Sequence, residues 1–279
     1  MGRMALTEAQ MEKVALITGA SSGIGRATAA LLAKSRYRVF GGARNIPSGE
    51  PIPNVEFLQL DVRHDESAKE AVRSLLSRAG RIDALVNNAG YTLIGSLEET
   101  SIEEAKQVFE TNFFGVLRMN QAVLPIMRGQ GYGRIANISS VVGFLPAPYQ
   151  GIYAASKHAL EGYSESLDHE VRQFGIRVSV IEPGFTRTNI GQNSQVAGRP
   201  LDAYASERNR VLEAIRENTA NGENPVTVAS VVLEALTARS PRPRYPVGRE
   251  AKFLNRLRKL IPSKLFDKNL RKQFGLGVA

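Results

Sequence analysis

Residues 13–25 constrain the fold of this chain more than any other stretch. They read Lys13-Val-Ala-Leu-Ile-Thr18, then Gly19-Ala-Ser-Ser-Gly23-Ile-Gly25, and pass directly into Arg26-Ala-Thr-Ala-Ala-Leu-Leu-Ala33. A short apolar run of this kind is a buried parallel strand. A glycine turn followed at once by a helix lets the backbone turn sharply and brings a helix N-terminus toward an anion, as a dinucleotide pyrophosphate requires. The spacing is G-x-x-x-G-x-G rather than G-x-G-x-x-G. Gly19, Ser21 and Gly23 also satisfy the G-x-S-x-G nucleophile elbow. That fold needs earlier strands, and too few residues precede Lys13 to supply them.

The second strand bears on the cofactor. Residues 37–43 read Tyr-Arg-Val-Phe-Gly-Gly-Ala, followed by Arg44, with no acid until Glu50. A site for NAD usually ends this strand with Asp or Glu, which binds the ribose diol. Such an acid repels a 2′-phosphate, whereas an arginine pairs with it as a fork. The sequence therefore predicts NADP(H), with Arg44 at the phosphate. The plain alternative is that Arg44 is an ordinary surface arginine.

Tyr153 and Lys157 are four residues apart, and Ser140 precedes the tyrosine by thirteen. The four-residue spacing puts phenol and ammonium on one helix face. A phenol is a poor base at neutral pH, and a fixed positive charge favours its ionised form. Ser140 then holds a carbonyl or hydroxyl oxygen against the phenol. A Tyr-x-x-x-Lys pair by itself is more often a solvated helix face.

These features occur together with Leu60-Asp-Val62, Asn87-Asn-Ala-Gly90, Asn112 and Pro183-Gly184. In that order, over residues 13–190, the chain resembles the short-chain dehydrogenase/reductase family. The resemblance implies Tyr153 as general acid/base, Lys157 tuning it and holding the nicotinamide ribose, and Ser140 polarising the substrate oxygen. Ser139 is one residue off the family spacing. Asn112 would complete a tetrad through a water and proton relay. Gly19, Ser21, Ser22, Gly23, Ile24 and Gly25 would line the phosphates, and Asp61 and Val62 the adenine. Asn88, Ala89 and Gly90 would cover the adenosine side, with Asn87 mainly stabilising the sheet. Pro183, Gly184, Thr186 and Thr188 would hold the nicotinamide end; the family often has Val or Ile where Thr186 stands.

The chain has 279 residues, 43% of them hydrophobic, enough for one substantial core. Apolar strands alternate with helical segments, which predicts a single Rossmann-type, doubly wound α/β domain with a seven-stranded parallel sheet and helices on both faces. The predicted strands are 13–18, 37–43, 55–60, 82–86, 133–139, 176–182 and 244–247. The predicted helices are 24–35, 66–79, 102–128 and 152–174, with Thr100 and Glu103 as a capping box for the third.

There is no cysteine, so disulfides, thiol chemistry and cysteine–zinc sites are excluded. His64, His158 and His169 have no metal-site spacing, and no metal is expected. No stretch approaches the roughly 18 apolar residues of a membrane span; the expected location is cytoplasmic.

Residues 189–225 would form a substrate lid. Phe144, Leu145, Pro146, Tyr149 and Ile152 are expected to line the pocket, which favours a lipophilic ketone or aldehyde. The net charge of +9 lies wholly in residues 241–279, where 11 Lys and Arg face only Glu250 and Asp267. Apolar residues alternate with these charges in the helical extension predicted near 249–279. This segment suits an anionic membrane surface, an acidic ligand such as a phosphate-bearing acyl carrier, or packing on the body or another subunit; Pro262 breaks it and favours packing. Arg242-Pro-Arg-Tyr-Pro-Val-Gly248 and the tail resemble the 17-beta-hydroxysteroid and retinol dehydrogenase branch of the family.

The expected reaction is NADP(H)-dependent interconversion of a hydrophobic carbonyl and its alcohol, in the reducing direction. The alternatives are a 3-oxoacyl thioester reductase and a non-catalytic NADPH-sensing regulator. No nucleic-acid motif is present. The resemblance implies a homodimer or homotetramer built on helices 102–128 and 152–174.

Overall fold

The computed structural model describes residues 12–48, 51–188, 195–248, 251, 263–273 and 276. Its elements are β1 (Lys13–Thr18), α1 (Gly23–Lys34), β2 (Tyr37–Ala43), β3 (Val55–Gln59), α2 (Asp65–Ala79), β4 (Ala84–Asn87) and β5 (Leu93–Ile94). They continue through α3 (Ile102–Phe109), α4 (Gly115–Gln130), β6 (Gly133–Ile138), α5 (Gly151–Val171), β7 (Ile176–Pro183) and β8 (Gln195–Val196). The last are α6 (Asp202–Ala220), α7 (Pro225–Thr237), β9 (Arg244–Val247) and α8 (Ser263–Gln273).

Seven strands form one parallel sheet in the order β3-β2-β1-β4-β6-β7-β9. Successive residues of β1 serve opposite faces, as strand geometry demands. Val14 and Leu16 pack with residues of α2, α4 and α5, while Ala15 and Ile17 pack with α1 and α7. The middle of the sheet is thus buried on both sides, which is why interior strands such as β1 and β4 read as nearly continuous apolar runs. Leu16, Leu85 and Ile135 are fully buried; truncating any one to alanine costs about 2–5 kcal/mol.

The chain leaves β1 for β2 on one side and returns to β4 on the other. This reversal opens a crevice beyond the C-terminal ends of β1 and β4, the usual ligand position in open α/β sheets.

Some local features depart from the sequence reading. The capping box is Ser101 with Glu104, one residue later than Thr100 with Glu103. Glu104 N donates to Ser101 Oγ at 3.2 Å, and Ser101 N donates to Glu104 Oε2 at 2.8 Å. The helix begins at Ile102, so Thr100 lies outside the cap and donates instead to the Ser96 carbonyl. Helix 102–128 contains a π turn, Glu110–Phe114, between α3 and α4. Helix α7, capped by Asn224 with Pro225 in its first turn, has no counterpart among the predicted helices. A second parallel sheet of two residues per strand joins β5 to β8.

Candidate active site

The glycine turn is shaped for close backbone approach. Gly19 adopts φ 65°, a left-handed conformation that glycine tolerates. A Cβ on Gly25 would lie 2.2 Å from the Gly19 carbonyl oxygen, so nothing larger fits where α1 meets the turn. Thr18 and Asn88 staple β1 to β4 beside it. Asn88 N and Ala89 N both donate to Thr18 Oγ1 at 3.0 Å, and Asn88 Nδ2 donates to the Thr18 and Gly19 carbonyls. Asn87 serves the sheet: its Nδ2 donates to Asn120 Oδ1 and Asn137 Oδ1.

A cavity of about 420 Å³ opens above this turn. It brings together Gly19, Ser21, Ser22, Gly23, Ile24, Arg44, Asp61, Val62, Asn88, Ala89 and Gly90. Gly25 stands behind the lining, packed on Gly19. Arg44 is exposed at the cavity wall. The sequence reading missed Arg63, whose Nε and Nη2 donate to the Asp61 carboxylate at 2.9 and 2.6 Å. The hydrogen bond from Arg63 holds the Asp61 carboxyl down to about 2. The Asp-x-Arg spacing was its only signal.

A second cavity of about 150 Å³ adjoins the first, sharing Ile24, Asn88, Gly90, Tyr91 and Thr188 with it. Tyr153, Lys157 and Ser140 line it, with Pro183, Gly184 and Thr186. Ser140 follows the end of β6 and caps a short 3-10 turn, Val141–Gly143, its Oγ accepting from Val142 N at 3.3 Å. Helix α5 carries Tyr153 and Lys157 one turn apart, both buried. Burial pushes the Tyr153 phenol upward, and side-chain hydrogen bonds with Ser140 and Thr92 oppose it. The Lys157 ammonium donates to the Ile138 carbonyl at 2.8 Å and stands 5.8 Å from the Tyr153 ring centroid. Burial draws Lys157 down to about 8, with the Glu161 charge acting against it. The expected lowering of the phenol is therefore reversed: desolvation dominates, and the neutral phenol is the favoured form at neutral pH.

Asn112 lies at the centre of the π turn. Its Nδ2 donates to the Tyr91 carbonyl at 3.0 Å and to Ser156 Oγ at 3.2 Å, and its Oδ1 accepts from Tyr91 N at 3.0 Å. Ser156 Oγ in turn donates to the Tyr153 carbonyl at 2.7 Å. π turns are often found at functional sites, where one extra residue re-aims a side chain. Here it lets Asn112 brace the start of α5 against the segment after β4. Among the described residues, no group of three or more His, Asp or Glu stands ready for a metal ion.

The glycine turn, the crevice and the Ser140–Tyr153–Lys157 cluster agree with a comparison of the sequence with known families. The family model for short chain dehydrogenase matches residues 13–197. The chain belongs to the short-chain dehydrogenase/reductase family. It is an oxidoreductase of that family. It is 41% identical over 239 residues to a 3-ketodihydrosphingosine reductase of Bacteroides thetaiotaomicron, covering 85% of this chain and 88% of the relative. It is 34% identical over 275 residues to retinol dehydrogenase 8 of Bos taurus, covering 91% and 88%. A solved short-chain dehydrogenase from Streptomyces avermitilis superposes with a TM-score of 0.80 at 34% identity, covering 94% of this chain and 97% of that one. A Burkholderia phymatum short-chain dehydrogenase/reductase in complex with NAD gives 0.71 at 29% identity, covering 83% and 88%. ElxO with NADP bound gives 0.69 at 28% identity, covering 82% and 93%. Structural neighbours thus hold either nucleotide.

In this short-chain dehydrogenase, Leu145 and Pro146 line the second cavity as expected, but Phe144, Tyr149 and Ile152 do not. Tyr149 turns outward to an edge contact with Tyr204 of α6, its hydroxyl donating to Glu207 at 3.2 Å. Ile215 and Thr219 of the predicted lid segment also line it; the sequence reading missed Thr92, Gln150, Phe185 and Leu270. Thr92 and Leu270 come from segments far from the catalytic residues in sequence, while Gln150 and Phe185 are neighbours of predicted site residues whose own side chains no motif singled out. Of the predicted lid, 189–194 lies outside the described residues. The remainder is tied down: Gln195 N donates to the Thr92 carbonyl, and buried Glu99 accepts from Leu201 N and pairs with Arg208. Of the predicted tail, 249–250, 252–262, 274–275 and 277–279 lie outside the described residues. Leu270 and Leu276 pack with Val211 and Ile215 of α6. No helix among the described residues is long and apolar enough to cross a membrane.

Proposed function

We propose that the chain reduces a lipophilic, long-chain ketone to its secondary alcohol with NADPH. The observation that carries this reading is the Tyr153 phenol, buried in the wall of the second cavity, next to the glycine-turn cavity, and hydrogen-bonded with Ser140 and Thr92. The first cavity suits the nucleotide: the left-handed Gly19, the absence of space at Gly25 and the free run of backbone at the start of α1 fit a pyrophosphate. Arg44, with no acid at the end of β2, favours a 2′-phosphate. The bound nucleotide supplies the hydride to the carbonyl carbon.

The remaining work falls to the chain. Ser140 donates to the carbonyl oxygen and fixes it against Tyr153. Tyr153, held neutral by burial, donates its proton to that oxygen as negative charge develops. Lys157 presents its ammonium to the nucleotide ribose and offsets the charge on the phenolate. Asn112 keeps α5 in register with the segment after β4. Val142, Leu145, Pro146, Phe185, Ile215 and Leu270 exclude water and receive the hydrocarbon. This lining and the 3-ketodihydrosphingosine reductase likeness support an aliphatic keto lipid over a sugar. We place the enzyme in the cytoplasm as a single catalytic unit that self-associates through α4, α5 and the exposed Phe114 of the π turn.

The test is a panel of a long-chain 3-keto lipid, a steroid ketone, retinal and a 3-oxoacyl thioester, followed by loss of NADPH absorbance. The keto lipid is expected to turn over fastest. Tight NADPH binding without turnover of any carbonyl would overturn the reading.

A further inference from the structure

Helix α5 carries Tyr153, Lys157, Glu161 and Glu165 at successive four-residue steps, so one face bears a line of ionisable groups. The first two belong to the site proposed above; Glu161 has no assigned part in it. Yet the Glu161 side chain is only 4% exposed, and Glu182 of β7, which flanks it, is fully buried. Buried carboxylates are costly unless paired. Here both are paired with Arg244 of β9, whose Nη1 lies 2.6 Å from Glu161 Oε2 and 2.7 Å from Glu182 Oε1. The same guanidinium reaches Glu165 through Nε at 2.6 Å. From the end of β6, Ser139 stands beside the other Glu161 oxygen, both packed against Gly143: a Cβ there would lie 2.6 Å from Ser139 Oγ and 2.7 Å from Glu161 Oε1. The 3-10 turn Val141–Gly143 packed on α5 adds no charge. Three carboxylates thus share one guanidinium, and Lys157 is the next cation along the helix face.

We propose that Glu161 is a positioning residue of the active site, a buried counter-charge that keeps Lys157 an ammonium while Arg244, Glu182 and Ser139 fix where it stands. This inference rests on the reading of Lys157 given under the proposed function. Its electrostatics are consistent with the geometry. Burial draws Lys157 down, and Glu161 is the charge that opposes this. Burial and Glu182 push Glu161 itself upward, while Ser139 and Arg244 hold it down. Glu161 therefore supports Lys157 when ionised and withdraws that support as it takes up a proton.

The experiment is an NMR titration of the lysine side-chain Cε and Nζ resonances in the full chain with NADP⁺, alongside the pH profile of kcat/KM. Glu161→Gln keeps the shape and loses the charge. Its Lys157 midpoint is expected to fall by about half a pH unit or more, with the alkaline limb of kcat/KM moving the same way; Glu161→Asp restores both. A Lys157 curve in Glu161→Gln that superposes on the unmutated one overturns the proposal. Should Glu161→Gln fail to fold, the unmutated chain still decides: its Lys157 resonance is expected to carry an acid-side inflection matching the Glu161 carboxyl titration, and its absence overturns the assignment. A moved midpoint in a protein that reduces no carbonyl supports the role of Glu161 and overturns the reductase reading.

Discussion

Asn112 and Tyr91 hold each other at both ends: Tyr91 N donates to Asn112 Oδ1, and Asn112 Nδ2 donates to the Tyr91 carbonyl, each at 3.0 Å. The amide of a buried side chain here replaces a backbone ladder across the mouth of the crevice. Replacing Asn112 with alanine leaves two main-chain groups without their partner, at about 1–3 kcal/mol each. The melting temperature is expected to fall by roughly 3–10 °C in a thermal scan, with kcat reduced because Ser156 and Tyr153 lose their brace.

Tyr153→Phe removes only the phenolic oxygen. NADPH affinity by fluorescence titration is expected to stay within a factor of about three, while kcat falls by roughly 10²–10⁴-fold. Retained turnover would remove Tyr153 from the role of acid.

Arg44→Ala tests the nucleotide preference. An exposed charge-assisted pair with a phosphate is worth about 1–2 kcal/mol, so NADPH affinity should weaken by roughly tenfold while NADH affinity is unchanged. Equal binding of the two nucleotides by the unmutated chain would contradict the assignment.

A pH dependence is expected from Lys157. Its pKa is lowered to about 8 by burial, with Glu161 opposing, so the ammonium is present below that pH and lost above it. Since kcat/KM reports ionisations of the free enzyme, it is expected to decline as pH rises through about 8. The limb should be absent in Lys157→Arg, whose side chain does not deprotonate in this range.

Leu270 reaches the second cavity, the proposed substrate site, from α8. Leu270→Ala is expected to raise KM for a long-chain ketone by roughly tenfold, about the loss of one or two kcal/mol of apolar contact, and to leave a short-chain ketone unaffected. Steady-state kinetics on a chain-length series measures this.

The parallel sheet was readable because interior strands such as β1 and β4 are buried on both faces and show as nearly uninterrupted apolar runs; the edge strands β3 and β9 carry polar residues, yet the bounds of β9 match the expectation residue for residue. Tyr153, Lys157 and Ser140 were readable because helix periodicity and one strand–helix connection bring them together. Helix α7 was not, since its valines at 226, 228, 231 and 232 favour extended structure locally and only packing against α1 and the sheet makes it helical. Overlapping Thr100-x-x-Glu103 and Ser101-x-x-Glu104 patterns left the cap ambiguous by one residue. Thr92 and Leu270 reach the cavity only through tertiary contacts, and the link from Glu161 to Glu182 and Arg244 joins three elements that sequence spacing does not relate.

The π turn at 110–114 gives the long helix a change of phase. One additional residue in a single turn rotates α4 by about 100° relative to α3. The half before the turn packs mainly on α5, and the half after it mainly on α2, β4 and β6, touching α5 through Asn120 and Tyr163. An uninterrupted α-helix over the same span would present one continuous stripe and forfeit one of these two contacts. The irregularity is thus what allows a single rod to serve two differently oriented neighbours.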